Sequence, residues 1–283
     1  MIKTVFFGSS EYSIIILQKL LKLPDFEVSV VVSKIDKPVG RDQKIIPNPV
    51  VNFCRQNKIP LLQIEEFTQS IRSNINDLRP DLGLCVAFGP PYFDQEMIDI
   101  PKFKIINIHP SPLPKYRGAT PGPWQIINGE TKSSVTFFQI DILPDHGPII
   151  TQLPFDISPT ETSTTFYNKA FDLASDNLEV ILKSYISQPD NLQIQDHSQK
   201  TYFPKFTKET AQINWFWPQD KIDRFVRALN PWPTAWTYII DQKGNQLKMK
   251  IFSSNVKPIE VQVEGKKPTK WSEISSYYTI NKA

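Results

Sequence analysis

The chain has 283 residues, of which 40% are hydrophobic and 12% aromatic, so it can bury a sizeable core and lacks the composition of a disordered protein. Its formal net charge of +3 excludes a chain that is basic throughout. Residues 1–189 carry 18 Lys and Arg against 20 Asp and Glu, whereas residues 190–283 carry 14 against 9. The rear part is therefore expected either to lie near an anion or to present an ordinary lysine-rich surface.

Cysteine usage and apolar runs indicate the compartment. Cys54 and Cys85 lie far apart in apolar contexts without CxxC spacing, which argues against a disulfide framework or a zinc site. The apolar run in residues 1–7 is too short for a signal peptide and is typical of a first strand. No apolar run reaches the roughly 18 residues of a membrane span. We expect a cytoplasmic protein without a metal.

The front of the chain alternates strands with helices. Strands are predicted at 2–7, 26–33, 60–62, 82–88, 105–108, 133–140 and 149–153, and helices at 14–23, 50–58, 68–78 and 161–185. Ser9 or Ser10 is expected to cap the first helix. This alternation predicts an α/β fold whose parallel or mixed sheet is covered on both faces. The turn at Gly8 has neither a GxGxxG nor a P-loop pattern, so dinucleotide binding is not supported.

Between the second strand and the next helix lies a basic loop at residues 33–49. Its prolines and Gly40 argue against regular structure. Its basic residues outnumber its two acids; they are Lys34, Lys37, Arg41 and Lys44. A loop of this length is usually functional or disordered, and a basic one can contact phosphates.

The pattern of polar and apolar residues changes in the rear of the chain. Residues 188–207 are polar with few periodic apolar positions, which is typical of a linker. A helix is predicted at 221–229, and strands are predicted at 236–240, 247–252 and 259–263. Together with the turn at Lys243-Gly244-Asn245, they predict a small β module.

The most informative stretch runs from the strand at 105–108 into a proline-rich turn. Asn107 and His109 are two residues apart, so on a strand both side chains project to the same face. Ligands of parallel sheets sit outside the carboxyl ends of the strands, where this pair falls. The alternative is a core histidine beside a turn-forming asparagine.

A second polar stretch, residues 141–148, lies between two predicted strands. Asp145 is either a turn residue or, if the loop folds over His109, the carboxylate of an acid–base pair. His146 and His197 lack close ligand partners in the sequence, so a metal site is not expected.

These stretches resemble the folate-dependent formyltransferases, and among them the methionyl-tRNA formyltransferases. The similar motifs are Gly8-Ser9-Ser10-Glu11-Tyr12, Lys37-Pro38-Val39-Gly40-Arg41, Pro47-Asn48-Pro49-Val50, Val86-Ala87-Phe88-Gly89, Asn107-Ile108-His109 with Ser111 through Ala119, Asp141 to Asp145, Asn230-Pro231-Trp232-Pro233 and Gly265-Lys266-Lys267-Pro268. They are spread from residue 2 to about residue 272, and together they are far more specific than any one alone.

The resemblance implies a fold with two domains. Residues 1–188 would form a Rossmann-like formyltransferase domain with a mostly parallel sheet, and residues 189–206 a linker. Residues 207–283 would form a small OB-like β-barrel that binds tRNA. This barrel is expected to be shortened, because the chain between Asn255 and Ile259 skips strands of a full family barrel.

The resemblance also implies an activity. Members of the family transfer the formyl group of 10-formyltetrahydrofolate to an amine, here the methionine of initiator Met-tRNA in translation initiation. The matching residues Asn107, His109 and Asp145 would be catalytic. Asn107 and His109 would stabilise the oxyanion, and losing one such donor costs on the order of a hundred- to thousand-fold in rate. Asp145 would orient His109 and help carry the amine proton.

Binding residues follow from the same resemblance. Folate would lie against Phe88, Gly89, Ser111, Pro112, Leu113, Pro114 and Asp141. Initiator Met-tRNA would be held by Lys37, Arg41 and Lys44. The protein would act without a metal and as a monomer.

The chain departs from the family pattern at several prolines. Pro112 stands where the family usually has leucine, and Pro90-Pro91 replaces apolar residues beside the folate slot. Pro148 follows Gly147 where the methionyl-tRNA enzymes commonly have aspartate. Two alternatives share part of the pattern: an amino-sugar N-formyltransferase and a tRNA-binding relative without catalysis. The basic loop and the Asn230–Pro233 motif favour the tRNA enzyme over the first, and the intact catalytic trio argues against the second.

Overall fold

The computed structural model describes residues 1–39, 44–255 and 257–281. Its chain divides into two compact units that interleave along the sequence. The first comprises Met1–Arg117, Ser134–Phe155 and Asn168–Tyr202, and the second comprises Gly118–Ser133, Asp156–Tyr167 and Phe203–Ala283. The expected domain partition at 1–188, 189–206 and 207–283 stays a prediction.

Strands and helices alternate through the front of the chain. The strands are β1 (Ile2–Gly8), β2 (Phe26–Lys34), β3 (Lys37–Val39), β4 (Lys44–Ile46), β5 (Leu61–Ile64), β6 (Leu82–Val86), β7 (Ile105–His109), β8 (Lys132–Gln139), β9 (Ile149–Asp156), β10 (Trp236–Asp241), β11 (Gln246–Asn255), β12 (Lys257–Val263), β13 (Thr269–Lys270) and β14 (Tyr278–Asn281). The helices are α1 (Glu11–Leu20), α2 (Pro49–Asn57), α3 (Gln69–Asp77), α4 (Gln95–Asp99), α5 (Pro121–Asn128), α6 (Ser163–Ser187), α7 (Gln219–Ala228) and α8 (Trp271–Ile274), with a short 3-10 turn at His197–Gln199.

A seven-stranded sheet has the order β5-β2-β1-β6-β7-β8-β9. The pairs β1–β2, β2–β5, β1–β6 and β6–β7 are parallel, and β7–β8 is antiparallel. This confirms the mostly parallel α/β fold. The carboxyl ends of the parallel strands lie along one edge, which is where ligands bind in such sheets.

The first helices begin at capping side chains. Ser10 caps α1 in a reciprocal capping box with Ser13, which confirms one of the two caps predicted there. Ser13 Oγ also donates to the carbonyl of Val86, 2.7 Å away, and so ties α1 to the end of β6. Asn48 and Thr68 cap α2 and α3. These bonds fix the loops at the carboxyl edge of the sheet.

An aromatic cluster fills the core beneath that edge. Phe7 of β1 is fully buried and contacts Phe67, Phe88 and Phe93, with ring centroids 5.0–6.2 Å apart. Burying a side chain of this size stabilises the fold by roughly 1.5–3 kcal/mol. The segment that follows β6 is therefore held in place by the packing of Phe88 in this core.

The loop at residues 33–49 contains more regular structure than we expected. β3 and β4 pair antiparallel, with Lys37 opposite Ile46 and Val39 opposite Lys44. Pro38 is tolerated because a two-stranded ribbon leaves edge positions that need no N–H donor. Pro49 is the first residue of α2, where its missing N–H costs nothing. Residues 40–43, including Arg41, lie outside the described part of the chain.

In the second unit, a five-stranded antiparallel sheet has the order β13-β12-β11-β10-β14, which confirms the small β module. Its β11 and β12 pair directly in the region where we expected missing strands. The sequence did not predict α4, α5, α8, β13 and β14. Helix α5 was not predicted because Pro121 and Pro123 resemble a turn signal, although both lie in its first turn. In the described residues, no helix has the length and apolar character needed to cross a membrane.

Candidate active site

Strand β7 carries Asn107 and His109 to the carboxyl edge of the sheet. Asn107 lies opposite Cys85 of β6 on one side and Phe138 of β8 on the other. His109 ends the strand and is only 6% exposed, whereas Asn107 is half-buried. The two side chains share one face, as their spacing predicted.

Two protein groups fix the imidazole of His109. Its Nε2 lies 3.1 Å from the carbonyl oxygen of Tyr116. A carbonyl can only accept, so Nε2 carries a proton and donates it. The other nitrogen, Nδ1, lies 3.7 Å from Oδ1 of Asp145. That separation is too long for a hydrogen bond but short enough for an ion pair when Nδ1 is protonated.

Asp145 reaches His109 because the loop between β8 and β9 folds back over the end of β7. Asp145 has a φ of 53°, in the left-handed region that non-glycine residues seldom adopt. Two residues later the backbone passes so close to β8 that a Cβ added to Gly147 would lie 1.9 Å from the carbonyl oxygen of Gln139. The structure thus brings the carboxylate and the imidazole together, as the hypothesis required. Their catalytic role, with that of Asn107, stays a prediction.

The amide of Asn107 is available to a ligand. Within the part of the chain that the structure describes, its side chain makes no hydrogen bond. An amide NH2 at the mouth of a site, next to a buried imidazole, can donate to a developing oxyanion. This availability distinguishes Asn107 from His109, whose ring nitrogens both face protein oxygens.

A polar network lies behind the Asp145 loop. Arg117, 6% exposed, donates from Nη2 to Gln195 Oε1 at 2.6 Å and to His197 Nδ1 at 2.8 Å. The rings of His197 and His146 stack with centroids 4.0 Å apart. His146 Nδ1 lies 2.5 Å from Oδ2 of Asp141. The network therefore connects the carboxylate of Asp141 to one buried guanidinium.

Burial and neighbouring charges shift two groups of this network. Desolvation lowers the pKa of Arg117, and the nearby carboxylates of Asp145 and Asp141 oppose that shift. The pKa of His197 is lowered mainly by desolvation, and next by the positive charges of His146 and Arg117. A neutral His197 is what its hydrogen bond requires, because its Nδ1 must accept from Arg117.

The segment after β6 offers its backbone to a ligand. Phe88 is 2% exposed within the aromatic cluster, so its side chain points away from solvent. Ala87 and Gly89 have φ values of 45° and 69°. Ser9 Oγ lies 3.0 and 3.1 Å from the carbonyl oxygens of Ala87 and Phe88 and holds this turn. A Cβ on Gly89 would lie 2.9 Å from Nζ of Lys34, so glycine leaves room there for that amine.

The other predicted folate residues divide into two groups. Ser111 and Leu113 are buried, and Ser111 Oγ donates to the carbonyl of Lys115 at 2.8 Å. Their side chains are thus directed into the protein, and a ligand would meet the surrounding backbone. Pro112, Pro114 and Asp141 are half-buried and accessible. The folate assignment of all five residues stays a prediction.

The predicted tRNA residues lie on the β3–β4 ribbon. The side chain of Lys37 is exposed. Of Lys44 the structure describes the backbone in β4, and Arg41 falls outside the described residues. At the base of the ribbon is a surface cavity of about 370 Å³, lined by Lys34, Lys37, Ile46 and neighbours. The ribbon's phosphate-binding role stays a prediction.

Two residues of this site were missed by the sequence analysis. Arg117 belongs to the stretch that carried the resemblance, but nothing in its local pattern predicted where its side chain points. Gln195 is a polar residue in a polar segment and carried no signal. Among the described residues, no group of three or more His, Cys, Asp or Glu side chains is arranged to hold a metal ion.

Comparison with protein-family models gives two matches. Residues 2–182 match the family described as formyl transferase, and residues 205–268 match the formyl transferase C-terminal domain. The methionyl-tRNA formyltransferase of Acetivibrio thermocellus is 36% identical over 252 residues, which are 89% of this chain and 79% of that protein. The methionyl-tRNA formyltransferase of Geobacter sulfurreducens is 33% identical over 249 residues, 88% of this chain and 77% of that protein.

Solved structures share the fold at lower sequence identity. An N-formyltransferase from Helicobacter canadensis, in complex with folinic acid and dTDP-3-aminofucose, has a TM-score of 0.61 and 23% identity, with 80% of each chain covered. The methionyl-tRNA formyltransferase from Clostridium thermocellum has a TM-score of 0.57 and 13% identity, with both chains covered completely. At these identities the likeness shows the fold alone.

Proposed function

Because the chain belongs to the methionyl-tRNA formyltransferase family, we propose that it transfers the formyl group of 10-formyltetrahydrofolate to the amino group of methionine on initiator Met-tRNA. The observation that carries this proposal is the meeting of Asn107, His109 and Asp145 at the carboxyl edge of the sheet. An amide donor beside an imidazole–carboxylate pair suits acyl transfer to an amine, in which charge develops on an oxygen while a proton leaves the nucleophile.

Each member of the trio has a distinct role in this proposal. Asn107 donates a hydrogen bond to the formyl oxygen as negative charge develops on it. We assign it the larger share of that stabilisation, because the Nε2–H of His109 is already bonded to Tyr116. His109 and Asp145 together take up the proton that the amine loses, since a proton on Nδ1 would lie between the imidazole and the carboxylate. The same proton can then reach the departing nitrogen.

The surroundings of the trio fit a folate. A pterin needs hydrogen-bonding backbone along its edge and apolar surface against its face. The left-handed turn at residues 87–89 supplies backbone, and the neighbouring loops supply three exposed apolar side chains, Tyr92, Ile142 and Leu143. When bound, 10-formyltetrahydrofolate supplies the formyl group and departs as tetrahydrofolate. The Helicobacter canadensis relative was solved with folinic acid, a formylated folate, which supports this ligand class.

The acceptor is proposed to be tRNA because of the relatives and the basic ribbon. The methionyl-tRNA formyltransferases of Acetivibrio thermocellus and Geobacter sulfurreducens are both more than 30% identical to this chain. We assign phosphate contacts to Lys37, Arg41 and Lys44, and further contacts to the net positive rear of the chain. We propose that the reaction takes place in the cytoplasm, as an aminoacylated tRNA substrate suggests, and that a monomer performs it.

The test is a formyl-transfer assay with two acceptors. Purified protein receives 10-formyltetrahydrofolate with charged initiator Met-tRNA and, in a parallel reaction, with a dTDP-amino sugar. We expect formyl-methionyl-tRNA and an apparent KM for tRNA that rises with salt, because phosphate contacts weaken as counterions are added. Transfer to the sugar alone would replace the proposal by the sugar enzyme, and transfer to neither would overturn both.

The ribbon is tested in the same assay. Lys37→Ala and Arg41→Ala should each raise the KM for Met-tRNA while leaving the affinity for folinic acid unchanged. Lys102→Ala is a suitable control, since it removes an exposed lysine outside the ribbon. Unchanged tRNA kinetics in both ribbon variants would remove the ribbon from the tRNA site.

A further inference from the structure

We infer that Gln195 is a positioning residue that holds the Asp145 loop in its reactive shape, an inference that rests on the proposed function. Gln195 follows α6, in the polar segment that the sequence analysis treated as a linker. It is 3% exposed, which is unusual for a glutamine and implies that its amide is satisfied within the protein.

The Asp145 loop needs an external restraint. A φ of 53° at an aspartate is unfavourable for the backbone and persists only where the surroundings enforce it. Gln195 supplies two bonds at this point. Its Nε2 donates to the carbonyl oxygen of Asp145 at 3.2 Å and to that of Gly147 at 2.7 Å. One side-chain amide therefore clamps the backbone on both sides of His146.

The orientation of this amide is unambiguous. Oε1 of Gln195 accepts from Nη2 of Arg117 at 2.6 Å, and a guanidinium can only donate. The two loop carbonyls can only accept, so they must face the NH2 group. A flipped amide would place donor against donor and acceptor against acceptor. Arg117 thus sets the direction in which Gln195 donates.

Arg117 is itself held by the segment after α6 that carries Gln195. Its backbone N–H donates to the carbonyl of Thr201 at 2.9 Å, and the N–H of Tyr116 donates to Thr201 Oγ1 at 2.8 Å. Tyr116 is also the residue whose carbonyl receives Nε2–H of His109. Two consecutive residues therefore orient the two members of the imidazole–carboxylate pair. The carbonyl of Tyr116 orients His109. The side chain of Arg117 orients Asp145 through Gln195.

This arrangement predicts an effect on the chemical step. The 3.7 Å separation of His109 and Asp145 depends on where the loop backbone lies. A shift of about 1 Å in a reacting group can cost on the order of a hundred-fold in rate. Because Gln195 contacts the backbone of the loop, its loss should lower kcat more than it weakens the binding of tRNA.

The discriminating variant is Gln195→Glu. A carboxylate keeps the shape and still accepts from Arg117, so the bond to the guanidinium survives. It cannot donate to the carbonyls of Asp145 and Gly147, and it adds a negative charge beside them. The matched control is Gln193→Glu, which makes the same change in charge two residues away, where the side chain is exposed.

We expect Gln195→Glu to lower kcat for Met-tRNA formylation on the order of a hundred-fold, with an unchanged KM for tRNA. The pH dependence of kcat should also move, because it reports the His109–Asp145 pair. Amide hydrogen exchange in residues 141–147 should speed up, a readout that does not depend on activity. Gln193→Glu should match the wild type in every measurement.

Several outcomes would overturn the inference. A fully active Gln195→Glu variant would do so, and so would one whose Tm and kcat fall together while its pH profile keeps its shape. Unchanged exchange in residues 141–147 would exclude the clamp directly. A wild type that formylates neither Met-tRNA nor an amino sugar would instead count against the proposed function, and hydrogen exchange would still report on the clamp.

Discussion

The Nδ1 atom of His109 faces Oδ1 of Asp145 across 3.7 Å, while the opposite nitrogen of the same ring is bonded to the carbonyl of Tyr116. The ring is thus held in one orientation, in which the lone pair of Nδ1 is directed at a carboxylate. A proton that arrives on Nδ1 meets an acceptor already in place. The carboxylate need not move far, since the loop that carries it is clamped.

Asp145→Asn should abolish most of this proton transfer. The amide is isosteric but uncharged, so a proton on His109 would lose its counter-ion, and we expect kcat to fall on the order of a hundred- to ten-thousand-fold. The fall is measured as the initial rate of Met-tRNA formylation, with circular dichroism to show that the fold persists. Asp77→Asn, an exposed acid at the end of α3, is the control. A rate near that of the wild type would remove Asp145 from the mechanism.

Asn107→Ala removes the proposed oxyanion donor. We expect kcat to fall on the order of a hundred- to thousand-fold, because a preorganised donor acts on the charge that develops in the transition state. Folinic acid should bind with similar affinity, which isothermal calorimetry measures. Asn76→Ala in α3 provides the matched exposed asparagine. If folinic acid affinity and kcat fell equally, Asn107 would be a binding residue instead.

Stability should depend on pH through His197. Its pKa is lowered from the ordinary value of 6.5, so the folded protein holds fewer protons than the unfolded chain between the two pKa values. Stability from this group is complete above about pH 6.5 and is lost as the pH falls through the lowered pKa.

Replacing His197 by asparagine should therefore flatten the fall in the free energy of unfolding as the pH is lowered below 6.5. Urea unfolding at a series of pH values measures the effect. Around this ring, His146, Arg117 and Lys200 lower the pKa of His197 and Asp141 raises it. An identical pH dependence in wild type and variant would show that His197 does not titrate in this window.

Gly147→Ala should disrupt the Asp145 loop. The new Cβ would meet the carbonyl oxygen of Gln139, and backbone cannot give way cheaply, so we expect a loss of about 3 kcal/mol in stability and most of the activity. Gly244→Ala is the comparison, because that glycine has a positive φ of 81° but open space around it. Its cost should be about 1 kcal/mol, with activity retained. Thermal melting and the transfer assay distinguish the two, and equal losses would contradict the steric argument.

The two cysteines should resist thiol reagents in the native state. Burial raises the pKa of Cys54 to about 11 and raises that of Cys85 further, with Asp145 adding to the shift at Cys85. The reactive thiolate is therefore scarce at neutral pH. A chromogenic disulfide reagent at pH 8 should react slowly with the folded protein. In guanidinium, where the chain is unfolded, it should react readily with both thiols. Rapid modification of the folded protein would mean that one thiol is accessible.

Most of the fold could be predicted because its signals are local. The buried runs that became β1, β2, β6 and β7 are continuous apolar stretches, and the first helices begin at capping residues readable in the sequence. The juxtaposition of Asn107 and His109 followed from the period of a strand. From the residues alone, the closure of the Asp145 loop over them was one of two alternatives, and the resemblance favoured it, since the closure of a loop depends on contacts that sequence spacing does not encode.

The clamp on that loop was beyond prediction for the same reason. Gln195 and Arg117 are 78 residues apart, and neither lies in a pattern that selects the other. The β3–β4 ribbon was missed for a different reason: prolines lower the strand propensity of its sequence, yet a two-stranded ribbon has positions where a missing N–H does no harm.

The return of residues 195–201 to the catalytic edge has a consequence for how this protein could be divided or recombined. A gene segment that stopped at the end of α6 would encode every strand of the seven-stranded sheet and all three proposed catalytic residues. It would still lack the glutamine and the threonine that hold Asp145, Tyr116 and Arg117. A chimera designed to keep the chemistry should therefore include those few residues along with the catalytic half.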